Sequence, residues 1–169
     1  MNRALTGHVD RTDDTPPSDS PAEHRRFAGH LRRLRRVGEA EEIGCLVEVL
    51  ADPDPTMARS AVLRHVDRRA AELYRGGAFA TWAEAVGRAC AGHPVVLRRL
   101  REWILFRSAA LDGAWRADAL AEASDWLQYK VAAESGTADA LEFLAVQGRT
   151  RRIRHAAAAA LRLVPDRPR

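Results

Sequence analysis

Apolar residues recur along the chain at spacings of three and four, the period of an amphipathic helix, and no stretch alternates as a strand would. The first stripe is Phe27, Leu31 and Leu34. It follows Ser20-Pro21-Ala22-Glu23, a capping box with proline at the first helical position, and Gly38 stops it. A second helix is expected from about Glu39 to Ala51 with Ile43, Leu46, Val47 and Leu50 inward. Asp54-Pro55 restarts a helix that runs to Gly76-Gly77. Thr81-Trp82-Ala83-Glu84 reads as another capping box, opening a short helix that ends near Gly92. Pro94 begins a longer one carrying Val96, Leu97, Leu100, Trp103, Ile104 and Leu111, broken by Gly113. After a segment from Ala114 to Ala123, Ser124 caps a helix through Glu134, and Gly136 separates it from one starting at Thr137 with Leu141, Leu144 and Ala145 inward. Gly148 breaks the chain again, and Thr150 opens a last helix that ends before Pro165. The expected class is all-α. Residues 1–19, with Asp13, Asp14, Pro16 and Pro17 and no periodicity, are expected to form a disordered tail, 20–164 a helical domain and 165–169 a short C-terminal tail.

The punctuation recurs. When the capping residues Asp54, His93, Ser124 and Thr150 are aligned, the third residue on is Met57, Val96, Leu127 or Ile153, and the seventh is Ala61, Leu100, Val131 or Ala157, all apolar. A shorter helix with its own stripe precedes each. Such a chain of antiparallel helix pairs buries each stripe only by stacking on a neighbour. The run Ile153-Arg154-x-x-Ala157-x-x-x-Leu161 resembles the second helix of a HEAT or HEAT-like repeat. Asp54-Pro55 with Met57 and Ala61 is similar, although Arg59 falls one place later than the family's arginine. Trp126-Leu127-Gln128 through Gly148 resembles the variant leucine-rich repeats, a bacterial helical solenoid. The resemblance covers residues 39–164 and implies a short right-handed α-solenoid of about four antiparallel pairs. Spacings of 39, 31 and 26 residues between the caps depart from a regular array, which keeps an irregular helical bundle as the competing architecture.

Composition supports helix: Ala, Leu, Arg and Glu dominate and aromatics are 6%. No stretch approaches the roughly 20 apolar residues of a membrane span. Two cysteines, Cys45 and Cys90, without CxxC spacing, read as reduced, buried and cytoplasmic. Lys130 is the single lysine among 27 basic residues, an arginine bias of the kind a GC-rich genome produces, and the net charge is only +4.

Enzyme signatures are absent from the sequence: no GxSxG, Walker loop, HExxH or paired CxxC. The six histidines show no metal-ligand spacing. No metal or cofactor is expected. The arginines are more informative. Arg149, Arg151, Arg152 and Arg154 crowd the start of the last helix, where the dipole already presents positive charge and unpaired N–H groups. That placement calls for a negative partner, either an anion or a partner's carboxylate, or else neutralisation by Asp139, Glu142 or solvent. Arg98, Arg99, Arg101 and Arg107 form a second cluster and Arg64, Arg68 and Arg69 a third. Asp67, Glu72, Glu102 and Glu134 stand at pairing distance in sequence. Trp82 and Trp126, each just after a cap, are candidate partly exposed aromatic anchors with packing as the default reading, whereas Trp103 belongs to a core stripe.

The function expected from these features is a non-enzymatic helical-repeat adaptor binding a protein partner on its concave face. The competing expectation is nucleic-acid binding through the phosphate backbone. Its basis is that HEAT-like repeats are also used by alkylpurine DNA glycosylases, whose pocket is most nearly approached here by Asp125, Trp126, Arg107 and the Arg149–Arg154 cluster. An immunity or regulatory protein of a bacterial operon is a third class.

Overall fold

A computed structural model of the chain describes residues 22–111, 114–135 and 137–164. The tails expected at 1–19 and 165–169, the Ser20-Pro21 cap, and the breaks at Gly113 and Gly136 lie outside the described residues. The described residues form helices without a strand: α1 (Ala22–Arg36), α2 (Glu42–Leu50), α3 (Pro55–Leu73), α4 (Ala78–Ala89), α5 (Pro94–Ala110), α6 (Ala117–Glu122), α7 (Asp125–Lys130), α8 (Ala138–Gln147) and α9 (Arg151–Leu161). One wider π turn, Val131–Ser135, prolongs α7.

Four helix starts follow from side-chain caps. The Asp54 carboxylate accepts from the Thr56 and Met57 N–H groups, and the hydroxyls of Ser124, Thr137 and Thr150 accept from Leu127, Ala140 and Ile153. Each satisfies a backbone donor that the first helical turn leaves without a partner. Of the aligned apolar positions, Val96, Leu127 and Ile153, then Ala61, Leu100, Val131 and Ala157, are buried. Met57 is half-buried.

Two elements differ from expectation. Helix α4 begins at Ala78, with Gly77 as its cap, so Thr81 lies in its second turn and caps nothing. Starting earlier carries Phe79 onto the same buried face as Trp82, Ala83 and Val86. On α2 the buried face is Glu42, Cys45, Leu46 and Val49, turned from the Ile43–Val47–Leu50 stripe, and Val47 is 49% exposed. An acid at the start of that face disguised it.

The helices meet in a regular succession. α1 packs on α3, α3 on α5, α5 on α7 and α7 on α9, while α2 packs on both α3 and α4, α4 on α5, and α8 on α9. One continuous core results. Its centre is aromatic: Trp103 stands edge-on to Phe106 at 5.4 Å, Tyr74 lies 5.2 Å from Phe106, and the Trp103 indole N–H donates to Asp67 at 2.7 Å. Cys45 and Cys90 are buried and unpaired, and burial pushes the Cys90 thiol up to about 11. No helix among the described residues is long and apolar enough to cross a membrane.

Candidate functional site

The arginines around the start of α9 have partners within the chain. Arg149 reaches back to the end of α6, donating to the carbonyls of Ala121 and Glu122 and pairing with the Asp125 carboxylate at 3.3 Å. The carbonyls at a helix end carry partial negative charge and lack helical donors, so the cation that α9 should not tolerate serves α6 instead. The buried Gln128 reinforces the same junction. Its amide donates to Leu120 and Ala121 and its oxygen accepts the Arg149 N–H. Arg154 donates to the carbonyl of Gly148, which ends α8, at 2.7 Å, and Arg152 stacks 4.3 Å above Tyr129. Arg151 alone of the four is exposed with no partner among the described residues. Neither Asp139 nor Glu142 neutralises the group; Asp125 and backbone carbonyls do.

Arg98 and Arg99 diverge. Arg98 is exposed, with no partner among the described residues. Arg99 stacks 3.8 Å over the Trp126 ring and faces Asp67 at 3.6 Å and Glu102 at 3.5 Å; its Nη1 is buried without a hydrogen bond. Trp126 also stands edge-on to Trp103 at 5.7 Å. The expected anchor therefore has one face under a guanidinium and an edge on the core. Lys130 completes the cluster, its ammonium 4.7 Å from Trp103 and 4.9 Å from Phe106 and paired with Glu134.

For Trp82 packing holds and the exposed-anchor reading is overturned. It is 8% exposed, and its indole N–H donates to Glu42 at 3.1 Å. Glu42, itself 3% exposed, is a hub that the sequence did not single out. It accepts from His65 Nε2 at 2.7 Å and from Arg69 Nε at 3.2 Å, so one carboxylate from α2 holds α3 and α4. Arg68 is a donor only, so His65 Nδ1, 3.1 Å away, accepts from it and Nε2 carries the hydrogen given to Glu42. Burial alone would raise the Glu42 carboxyl. The bonds from His65, Trp82 and Arg69, with the Arg69 charge, outweigh it and hold the group at about 2. A carboxylate so fully engaged is a structural acceptor and not a general base.

An open apolar groove lies between α4 and α5. This groove of about 420 Å³ is lined on α4 by Phe79, Ala80, Ala83, Glu84 and Gly87 and on α5 by Leu97, Leu100, Arg101, Ile104, Arg107 and Ser108. Small residues at Ala80, Ala83 and Gly87 keep the α4 wall low, and Ile104 is 45% exposed within it. Arg107 donates to the Tyr74 carbonyl at 2.8 Å and covers Phe79. It is thereby tied to the end of α3, whereas Asp125 pairs with Arg149 and Trp126 with Arg99. The set Asp125, Trp126 and Arg107, the nearest approach to a glycosylase pocket, is thus divided among separate contacts. Among the described residues no three His, Cys, Asp or Glu side chains converge as metal ligands would. Set against protein-family models, curated proteins and solved structures, the chain matches none of them.

Proposed function

We propose that the chain is a non-enzymatic helical-repeat scaffold that binds a protein partner, and that the partner docks in the groove between α4 and α5. The observation that carries this reading is the groove itself: an open apolar trough of about 420 Å³ with a half-exposed isoleucine at its edge. The succession α1–α3–α5–α7–α9, with α2 on α4, supports a HEAT-like solenoid of antiparallel pairs as the architecture. A phosphate-backbone reading would need converging free guanidinium groups. The internal contacts of Arg99, Arg149, Arg152 and Arg154 weigh against it.

The test is affinity capture with the wild-type chain and with Ile104→Glu, each with and without nuclease. A protein retained by the wild type after nuclease treatment and lost with Ile104→Glu is the expected result. Material that nuclease releases entirely, or that Ile104→Glu retains unchanged, would overturn it.

A further inference from the structure

The groove carries information about what fills it. On α5 the positions facing it are Leu97, Arg101 and Ile104, at helical spacings of four and three, with Arg107 toward its far end. On α4 the facing positions Ala80 and Gly87 are two turns apart and small. A trough with one low wall and one apolar wall accepts a third helix better than an extended strand. It offers no sheet edge for backbone pairing, and small residues permit helix axes to approach within about 8–10 Å.

The rim is positively charged. Arg101 is exposed and meets no carboxylate among the described residues, and Arg107 is bonded to a carbonyl, which leaves its charge unbalanced. The groove's own acid, Glu84, is already paired with Arg88. Arg101 and Arg107 are six residues apart, which spaces them about 9 Å along the helix axis. A second copy of this chain is a poor complement, because α5, the helix it would have to cover, carries Arg98 and Arg101 on its exposed surface and like charges oppose docking.

Resting on the scaffold reading above, we infer that the occupant is an acidic amphipathic helix of a partner protein, with its apolar face on Leu97 and Ile104 and its carboxylates on Arg101 and Arg107. Those carboxylates lie about 9 Å apart along the incoming helix, matching the spacing of the arginines.

The experiment uses two labelled peptides of about 18 residues. They share one leucine face; one carries glutamates on its flanks and the other lysines. Binding to the full chain is followed by fluorescence anisotropy, and circular dichroism verifies that each variant is folded. The glutamate peptide is expected to bind at least about tenfold more tightly than the lysine peptide, and to weaken as salt rises from about 50 to about 300 mM. Arg101→Glu is expected to lower glutamate-peptide affinity about tenfold and to raise that of the lysine peptide. Ile104→Glu is expected to abolish both. Equal binding of the two peptides, still lost with Ile104→Glu, would overturn the acidic-helix inference while leaving the groove as a docking site. Binding of neither peptide, or binding indifferent to Ile104→Glu, would overturn both. Sedimentation that shows a dimer dispersed by Ile104→Glu would assign the groove to a second copy instead.

Discussion

Replacing Glu42 with alanine removes the acceptor on which α2, α3 and α4 converge. Two neutral donors, the Trp82 indole and the His65 imidazole, lose the carboxylate in a buried setting, and each orphaned donor costs about 1–3 kcal/mol. Arg69 is cushioned, since it keeps Glu39 and Glu72 at 3.0 Å. Relief of the carboxylate's own desolvation offsets part of the loss, and breaking a buried charge network by removing one partner costs about 3–5 kcal/mol overall. For a chain of 169 residues that is a fall in Tm on the order of 10 °C. Urea unfolding followed by far-UV circular dichroism, with thermal scans alongside, measures both. Glu42→Leu combined with Arg69→Met should cost less than the sum of the two single changes, because an apolar pair leaves fewer buried charges unmatched. A loss under about 1 kcal/mol for Glu42→Ala, or strict additivity in the double variant, would refute the hub.

The same carboxylate makes stability depend on acid. In the unfolded chain Glu42 titrates near its ordinary 4.5, and in the folded protein near 2. Between those values the unfolded chain takes up the extra proton, so acid favours unfolding. Relative to Glu42→Gln, wild-type stability should be flat above about pH 5 and fall as pH is lowered toward 2, as read from urea midpoints across that range; parallel curves would contradict this. Gly148→Ala should destabilise by about 1–3 kcal/mol, because an added Cβ would meet the Leu144 carbonyl oxygen at 2.5 Å and Ile153 at 2.8 Å where α8 hands over to α9. Thermal unfolding within error of wild type would show that this junction gives way. Arg149→Ala should cost about 1 kcal/mol, through lost bonds to the end of α6, whereas Arg151→Ala should stay within about 0.5 kcal/mol. Equal effects of the two in urea titrations would remove the distinction drawn between them.

Much of the helical framework is legible in the sequence because caps are local. Asp54, Ser124, Thr137 and Thr150 bond to N–H groups two or three residues on, and nothing distant is needed to find them. Gly77 escapes the same search, having no side chain to offer, and the Thr81-Trp82-Ala83-Glu84 pattern then misplaces the start of α4. The π turn at Val131–Ser135 has no local signature either. The hub is hidden for another reason. Glu42 looks like an ordinary first-turn acid until Cys45, Leu46 and Val49 are recognised as the inward face, which extends back to it by the helical period. His65 likewise falls on the stripe of Ala58, Ala61, Val62 and Val66. Polar residues on the inward stripes of consecutive helices are the signal that would have found the cluster. For the α9 arginines the partners are set by the tertiary fold, and no local pattern reveals them: Arg149 meets the end of α6, Arg152 the Tyr129 ring and Arg154 the end of α8, while Arg151 meets none among the described residues. The groove depends on small residues at Ala80, Ala83 and Gly87, which in an alanine-rich chain do not stand out.

Photo-crosslinking inside cells reads partner docking in the α4–α5 groove most directly. A photoreactive residue at position 104 should trap a discrete protein adduct, and the same residue at position 47, a comparably exposed apolar site on α2 outside the groove, should not. Adducts of equal yield at both positions, or nucleic acid trapped at 104, would contradict a protein-binding groove.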